Sequence, residues 1–84
     1  MTTNINSAPP LSEQVTATLE QYFKDLDGQD TTNLYEMVLQ QVEKPLLDYV
    51  LEHTENNQTR TAQILGINRN TLRKKMLKYQ MIDA

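Results

Sequence analysis

The stretch NQTRTAQILGINRNTLRKK, residues 57–75, holds Arg60, Arg69, Arg73, Lys74 and Lys75, five of the eight basic side chains in an 84-residue chain of net charge −3. Arg69, Asn70, Arg73 and Lys74 fall at i, i+1, i+4 and i+5, so on a helix they share one donor-rich face without an acid. An arginine in the first turn of such a helix can offer its planar fork to guanine O6 and N7 together. Arg69 is placed for that, whereas Arg73, Lys74, Lys75 and Lys78 suit phosphates, which add salt-sensitive affinity without reading sequence. Asn57, Thr59, Arg60, Asn68 and Thr71 have two uses. They are helix caps and first-turn residues, or they converge with backbone N–H groups on phosphates, and a cap can sit beside a phosphate.

Other chemistries find little support. There is no cysteine, which excludes disulfides and thiolate metal sites, and the lone His53 cannot build a metal centre by itself. No nucleophile–base pair or glycine-rich phosphate loop is readable, so neither an enzyme nor a cofactor is expected. His53, at the end of an apolar run, is expected to pack or cap there. Tyr22, Tyr35, Tyr49 and Tyr79 are spread as core residues, without the aromatic platform that single-strand binding needs. No apolar run approaches the roughly 20 residues of a bilayer span, and MTTNINSAPP lacks the basic start and apolar stretch of a signal peptide. A cytoplasmic protein without membrane contact is expected.

Charge divides along the chain. Residues 1–53 carry two basic against nine acidic side chains, and residues 54–84 carry six against two. Because salt screens beyond roughly 8–10 Å, the local excess at the basic end outweighs the acidic total there.

The apolar spacing supplies the elements that must position these groups. Residues 1–10 are polar, end in Pro9-Pro10 and read as a mobile arm. Leu11, Val15, Leu19, Tyr22, Phe23 and Leu26 mark one face of a first helix over 11–26, stopped at Asp27-Gly28. A second helix runs over 34–53. Its apolar residues cover most of its circumference, more than so small a chain can bury alone, so a second copy is expected against Leu34, Met37, Val38, Val42, Leu46, Tyr49 and Val50. Pro45 should kink this helix without ending it; the alternative is two shorter helices meeting at Lys44-Pro45. Asn57 caps a third helix over 58–65, Gly66 opens a turn, and Asn68 caps a fourth from Arg69 to about Tyr79. Ala62 lets the last two helices cross closely, with Ile64, Leu65, Ile67 and Leu72 in the wedge between them. Leu72, Met76 and Tyr79 form the buried stripe of the fourth helix, extended by Leu77. No strand-like alternation is found. The reading is all-α, four helices per subunit, with an arm over 1–10, dimerisation helices over 11–53 and a helix-turn-helix over 54–84.

The segments LDGQD, LYEMVLQQVEKPLLDYV and NQTRTAQILGINRNTLRKK closely resemble Fis, the factor for inversion stimulation, a family of bacterial nucleoid-associated proteins. The resemblance covers residues 11–79. It implies an intertwined all-α homodimer that binds weakly conserved duplex sites and bends them, choosing sites partly by minor-groove compression between paired recognition helices. Carried over by residue, it places DNA contacts at Asn57, Thr59, Arg60, Asn68, Arg69, Thr71, Arg73, Lys74 and Lys75, with Arg69 reading a flanking guanine. Two departures qualify it. Only MTTNINSAPP precedes the first helix where inversion-stimulating members have a longer hairpin arm, so recombinase activation is not expected. Glu52, Glu55 and Asn56 stand where the well-known enterobacterial form has Gln, Arg and Gly to meet RNA polymerase or flanking DNA. Less polymerase contact and less wrapping of flanking DNA are expected here.

Two other readings stay open. The chain resembles the effector end of nitrogen-regulation-type activators, which share this helix-turn-helix, although its initial methionine and lack of a Walker motif favour a free-standing protein. It could also be a helical dimerisation adaptor with a merely solvated basic end.

Overall fold

A computed structural model describes residues 10–83; the arm expected over residues 1–10 falls outside these except for Pro10. The described residues form four α-helices and no strand: α1 (Leu11–Leu26), α2 (Leu34–His53), α3 (Gln58–Leu65) and α4 (Arg69–Lys78). The chain divides into two compact units, one up to Thr32 and one from Asn33 onward. In a single copy α2 groups with α3 and α4.

In the first unit, α1 ends at Asp27, whose own backbone is left-handed (φ 49°) ahead of Gly28. The apolar stripe is present, but none of its residues is buried, and Leu11 and Phe23 are about half exposed at 55% and 51%. Tyr22 and Phe23 meet edge to face with ring centroids 5.7 Å apart, and the Tyr22 hydroxyl lies 2.9 Å from that of Thr31.

In the second unit, α2 is continuous through Pro45, which excludes two helices meeting at Lys44-Pro45. Its Leu47 and Leu51, one turn apart, pack with Ala62 of α3 and with Leu72 and Met76 of α4 in a single buried cluster. Leu65, Ile67, Tyr79, Met81 and Ile82 pack against its edge. Ile64 does not join the wedge. It is 50% exposed, because two positions beyond Ala62 is more than half a helical turn away from the buried face. Tyr35 and Tyr49 correct the sequence reading as well, at 78% and 74% exposed. Tyr49 stands two positions from both Leu47 and Leu51, which puts it opposite the core.

A buried polar pair joins α2 to α3. Thr61 is completely buried and its hydroxyl lies 2.7 Å from that of Thr54, just after α2. The Thr54 hydroxyl also lies 3.1 Å from the Leu51 carbonyl and 3.3 Å from that of Asn57. Carbonyls only accept, so the Thr54 proton is directed to them and Thr61 donates to Thr54. This is how the turn at residues 54–57 keeps a fixed shape between two helices.

Candidate nucleic-acid interface

Three helix ends in the second unit use one hydrogen-bond pattern. After α3, the Ile67 N–H donates to the Ala62 carbonyl (3.0 Å) and the Gly66 N–H to that of Gln63 (3.2 Å), with Gly66 left-handed at φ 73°. This crossed pair is the Schellman closure, and glycine suits it because it lacks the Cβ that opposes positive φ. The same pair follows α2, where Asn56 donates to Leu51 and Glu55 to Glu52, and α4, where Met81 donates to Met76 and Gln80 to Leu77. At those two sites Glu55 (φ 56°) and Gln80 (φ 57°) take the strained conformation in place of glycine, and Asn56 (φ 66°) follows Glu55 in it.

The starts of α3 and α4 are capped as expected. The Asn57 side chain accepts from the Arg60 N–H at 3.1 Å, and the Asn68 side chain accepts from the Asn70 N–H at 2.7 Å. Each cap engages the carboxamide oxygen and leaves the NH2 group as a donor on an exposed surface, so capping and anion binding use different atoms of one side chain. Asn57 and Asn68 hence serve structurally without losing their second use.

Asn57, Thr59, Arg60, Asn68, Arg69, Thr71, Arg73 and Lys74 are all exposed. Leu72 and Met76, on the opposite side of α4, are buried at 0% and 3% exposure, so the helix has a firm apolar back and a donor-rich front. Among the described residues no ion pair engages Arg60, Arg69, Arg73 or Lys74; those present are Lys44–Asp48, Lys75–Glu43 and Lys78–Glu36. Arg60 and Arg69 are therefore unneutralised cations in the first turns of α3 and α4, and Arg73 and Lys74 continue the charge along α4.

Lys75 differs from the other eight sequence-selected residues. It is only partly exposed, and its ammonium donates to Glu43 Oε2 at 2.8 Å. Lys78 donates to Glu36 in the same manner. The Tyr79 hydroxyl donates to Glu43 Oε1 at 2.6 Å, so both oxygens of this carboxylate are engaged. The Lys75 hydrogen bond, and then that of Tyr79, hold the Glu43 carboxyl below its ordinary value against the effect of burial. The Lys78 hydrogen bond does the same for Glu36. Accepting the phenol proton in turn pushes Tyr79 up to about 12. These partners lie 32 to 42 residues apart in sequence, and no local spacing could have revealed them.

Other candidates stay bland. His53 is exposed in the last turn of α2, so it does not pack as expected. Among the described residues no group of three or more His, Cys, Asp or Glu side chains could hold a metal, and no helix is long and apolar enough to cross a membrane. A groove of about 540 Å³, lined by residues including Leu51, Glu52, Met76 and Met81, contains none of the four free cations.

Similarity to known proteins agrees with this geometry. The DNA-binding protein Fis N-terminal domain matches residues 1–31. Over 72 residues the chain is 57% identical to the DNA-binding protein Fis of Glaesserella parasuis serovar 5 and to that of Proteus mirabilis, and 56% identical to that of Yersinia pestis. In each case the alignment spans 86% of this chain and 74% of the relative. The family described as bacterial regulatory protein, Fis family, matches residues 38–79, which take in most of α2 and all of α3 and α4, and the chain belongs to that family.

Proposed function

We propose that the chain is a nucleoid-associated regulator of transcription that binds and bends duplex DNA as a homodimer in the cytoplasm. The observation that carries the reading is the front of α4, where Arg69, Arg73 and Lys74 are exposed and unpaired while Leu72 and Met76 anchor the helix behind them. Arg69, in the first turn, reads guanine. Asn57, Thr59, Arg60, Asn68, Thr71, Arg73 and Lys74 bind the backbone through their exposed donors, and Lys75 contributes less because Glu43 already holds it. The relatives' shared description as DNA-binding proteins supports this reading.

Dimerisation is supported by what α2 leaves uncovered. Leu34, Met37, Val38, Val42, Leu46, Tyr49 and Val50 are all at least partly exposed in one copy, with Leu46 at 48% and Tyr49 at 74%, while the core takes only Leu47 and Leu51. An apolar surface of that extent on a soluble chain calls for a partner, and a second copy supplies a matching one. The exposed acids Glu52 and Glu55 oppose phosphate beside the site, so flanking DNA wraps less and bend angles change little with duplex length.

The test is fluorescence anisotropy on a duplex carrying a Fis-type site and on a random duplex, at several salt concentrations. Wild type should bind with a steep negative salt slope, and Arg69→Ala should lose ~1–3 kcal/mol on the site but little on random DNA. A stable dimer that binds neither duplex at low salt would instead be an adaptor with a solvated basic end.

A further inference from the structure

Six basic side chains occupy residues 54–84, yet the fold treats them in two ways. Arg60, Arg69, Arg73 and Lys74 are unpaired, whereas Lys75 and Lys78 are tied to acids of α2. Lys75, Lys78 and Tyr79 are three and four positions apart in sequence, so they project from one flank of α4. Glu36 and Glu43 are two turns apart on α2 and form the opposing flank. Beside this polar border runs the apolar contact of Leu47 and Leu51 with Leu72 and Met76. An apolar stripe alone tolerates sliding and rotation, because burial is not directional, whereas a carboxylate bonded through both oxygens fixes pitch.

We infer that Glu36 and Glu43 are positioning residues for DNA recognition, which hold α4 at a set angle against α2 and keep Lys75 and Lys78 away from phosphates. The inference rests on the DNA-binding reading and extends it to residues that touch no DNA. Since α2 also carries the proposed dimer surface, the angle it imposes on α4 sets how far apart two recognition helices stand. Random-sequence affinity is restrained by the same bonds, because two cations per subunit are neutralised internally. Discrimination gains on both counts.

The experiment compares wild type, Glu36→Gln, the double variant Glu36→Gln/Glu43→Gln and Tyr79→Phe in the full chain. Each is titrated against a Fis-type site and a random duplex across a salt series, with unfolding measured in parallel. In the double variant, each lysine that gains a phosphate should steepen the random-duplex salt slope by about 0.9, and the ratio of site to random affinity should fall several-fold. Glu36→Gln, at the more exposed of the two clamps, should show half of that change and keeps the test decisive should the double variant fold poorly. Tyr79→Phe removes one positioning bond without freeing a charge, so the ratio should fall at unchanged slope. Slopes and ratios equal to wild type, accompanied only by lower stability, would overturn the inference. Failure of wild type itself to bind either duplex would remove the DNA-binding reading beneath it.

Discussion

The Thr54–Thr61 pair allows a quantitative prediction. Thr61 is completely buried, and its hydroxyl has Thr54 as its partner at 2.7 Å. Thr61→Val keeps the branched shape and removes one hydroxyl. It loses a bond with a net contribution of ~0.5–1.5 kcal/mol, while Thr54 still donates to the Leu51 carbonyl. Thr54→Val is the costlier change, because it strands the buried Thr61 hydroxyl, at ~1–3 kcal/mol, and also leaves the Leu51 carbonyl without that donor. In the double variant no hydroxyl is stranded, so its loss should fall short of the sum of the singles by about 1 kcal/mol. Urea unfolding of the four proteins at one fixed protomer concentration measures this, with an unchanged slope showing that the unfolded state is the same. In thermal unfolding each kcal/mol corresponds to about 4–8 °C in a domain of this size. Additivity within ~0.3 kcal/mol would refute the coupling of α2 to α3 through these hydroxyls, and a Thr61→Val loss larger than that of Thr54→Val would refute the assigned direction of donation.

Further outcomes follow from the helix ends and from the α2–α4 clamp. Glu55→Gly and Gln80→Gly should each stabilise by about 1 kcal/mol, since both positions are left-handed without glycine, and Gly66→Ala should destabilise by a similar amount. No atom lies within 4 Å of a Cβ at Gly66, so thermal melts of that variant read backbone strain without a clash. A tyrosinate absorbance titration should show one phenol delayed to about 12, missing in Tyr79→Phe and shifted downward in Glu43→Gln. That phenol's pKa is raised on folding, so its contribution to stability is complete below its ordinary value of 10.0 and disappears as pH rises towards about 12. Glu43 is depressed, so its contribution is present above 4.5 and lost as pH falls through the lowered value; urea midpoints across pH 3–6 should drop less steeply in Glu43→Gln.

Local chemistry made much of this molecule readable from its sequence. Asn57 and Asn68 mark helix starts through side-chain caps, Gly66 marks a helix end through its left-handed backbone, and Leu72 with Met76 announce a buried stripe by their spacing. Exposure of Arg69, Arg73 and Lys74 followed from that stripe. Long-range pairing was hidden: nothing near Lys75 in sequence says that Glu43 takes its charge. Nothing in the sequence singles out Thr61, because burial of a hydroxyl depends on a partner in another element. Glu55 and Gln80 broke the glycine rule for helix ends, and the hydrogen-bond pattern imposed a conformation their side chains oppose. Ile64 and Tyr49 were misplaced for a simpler reason, since apolar character alone does not say which side of a helix a small core can cover.

In a single copy no residue of α1 is fully buried. Sixteen residues are close to the minimum length at which a helix holds together in water, so the order of this segment depends on what covers it. When that cover is a second copy, dilution acts as a denaturant, and unpaired chains are the ones open to proteolytic trimming. Lifetime then lengthens as the pool fills, and a cell raising synthesis gains both more copies and longer-lived ones. A falling pool on that footing clears faster than simple decay would allow, so the number of paired copies changes more sharply than synthesis does.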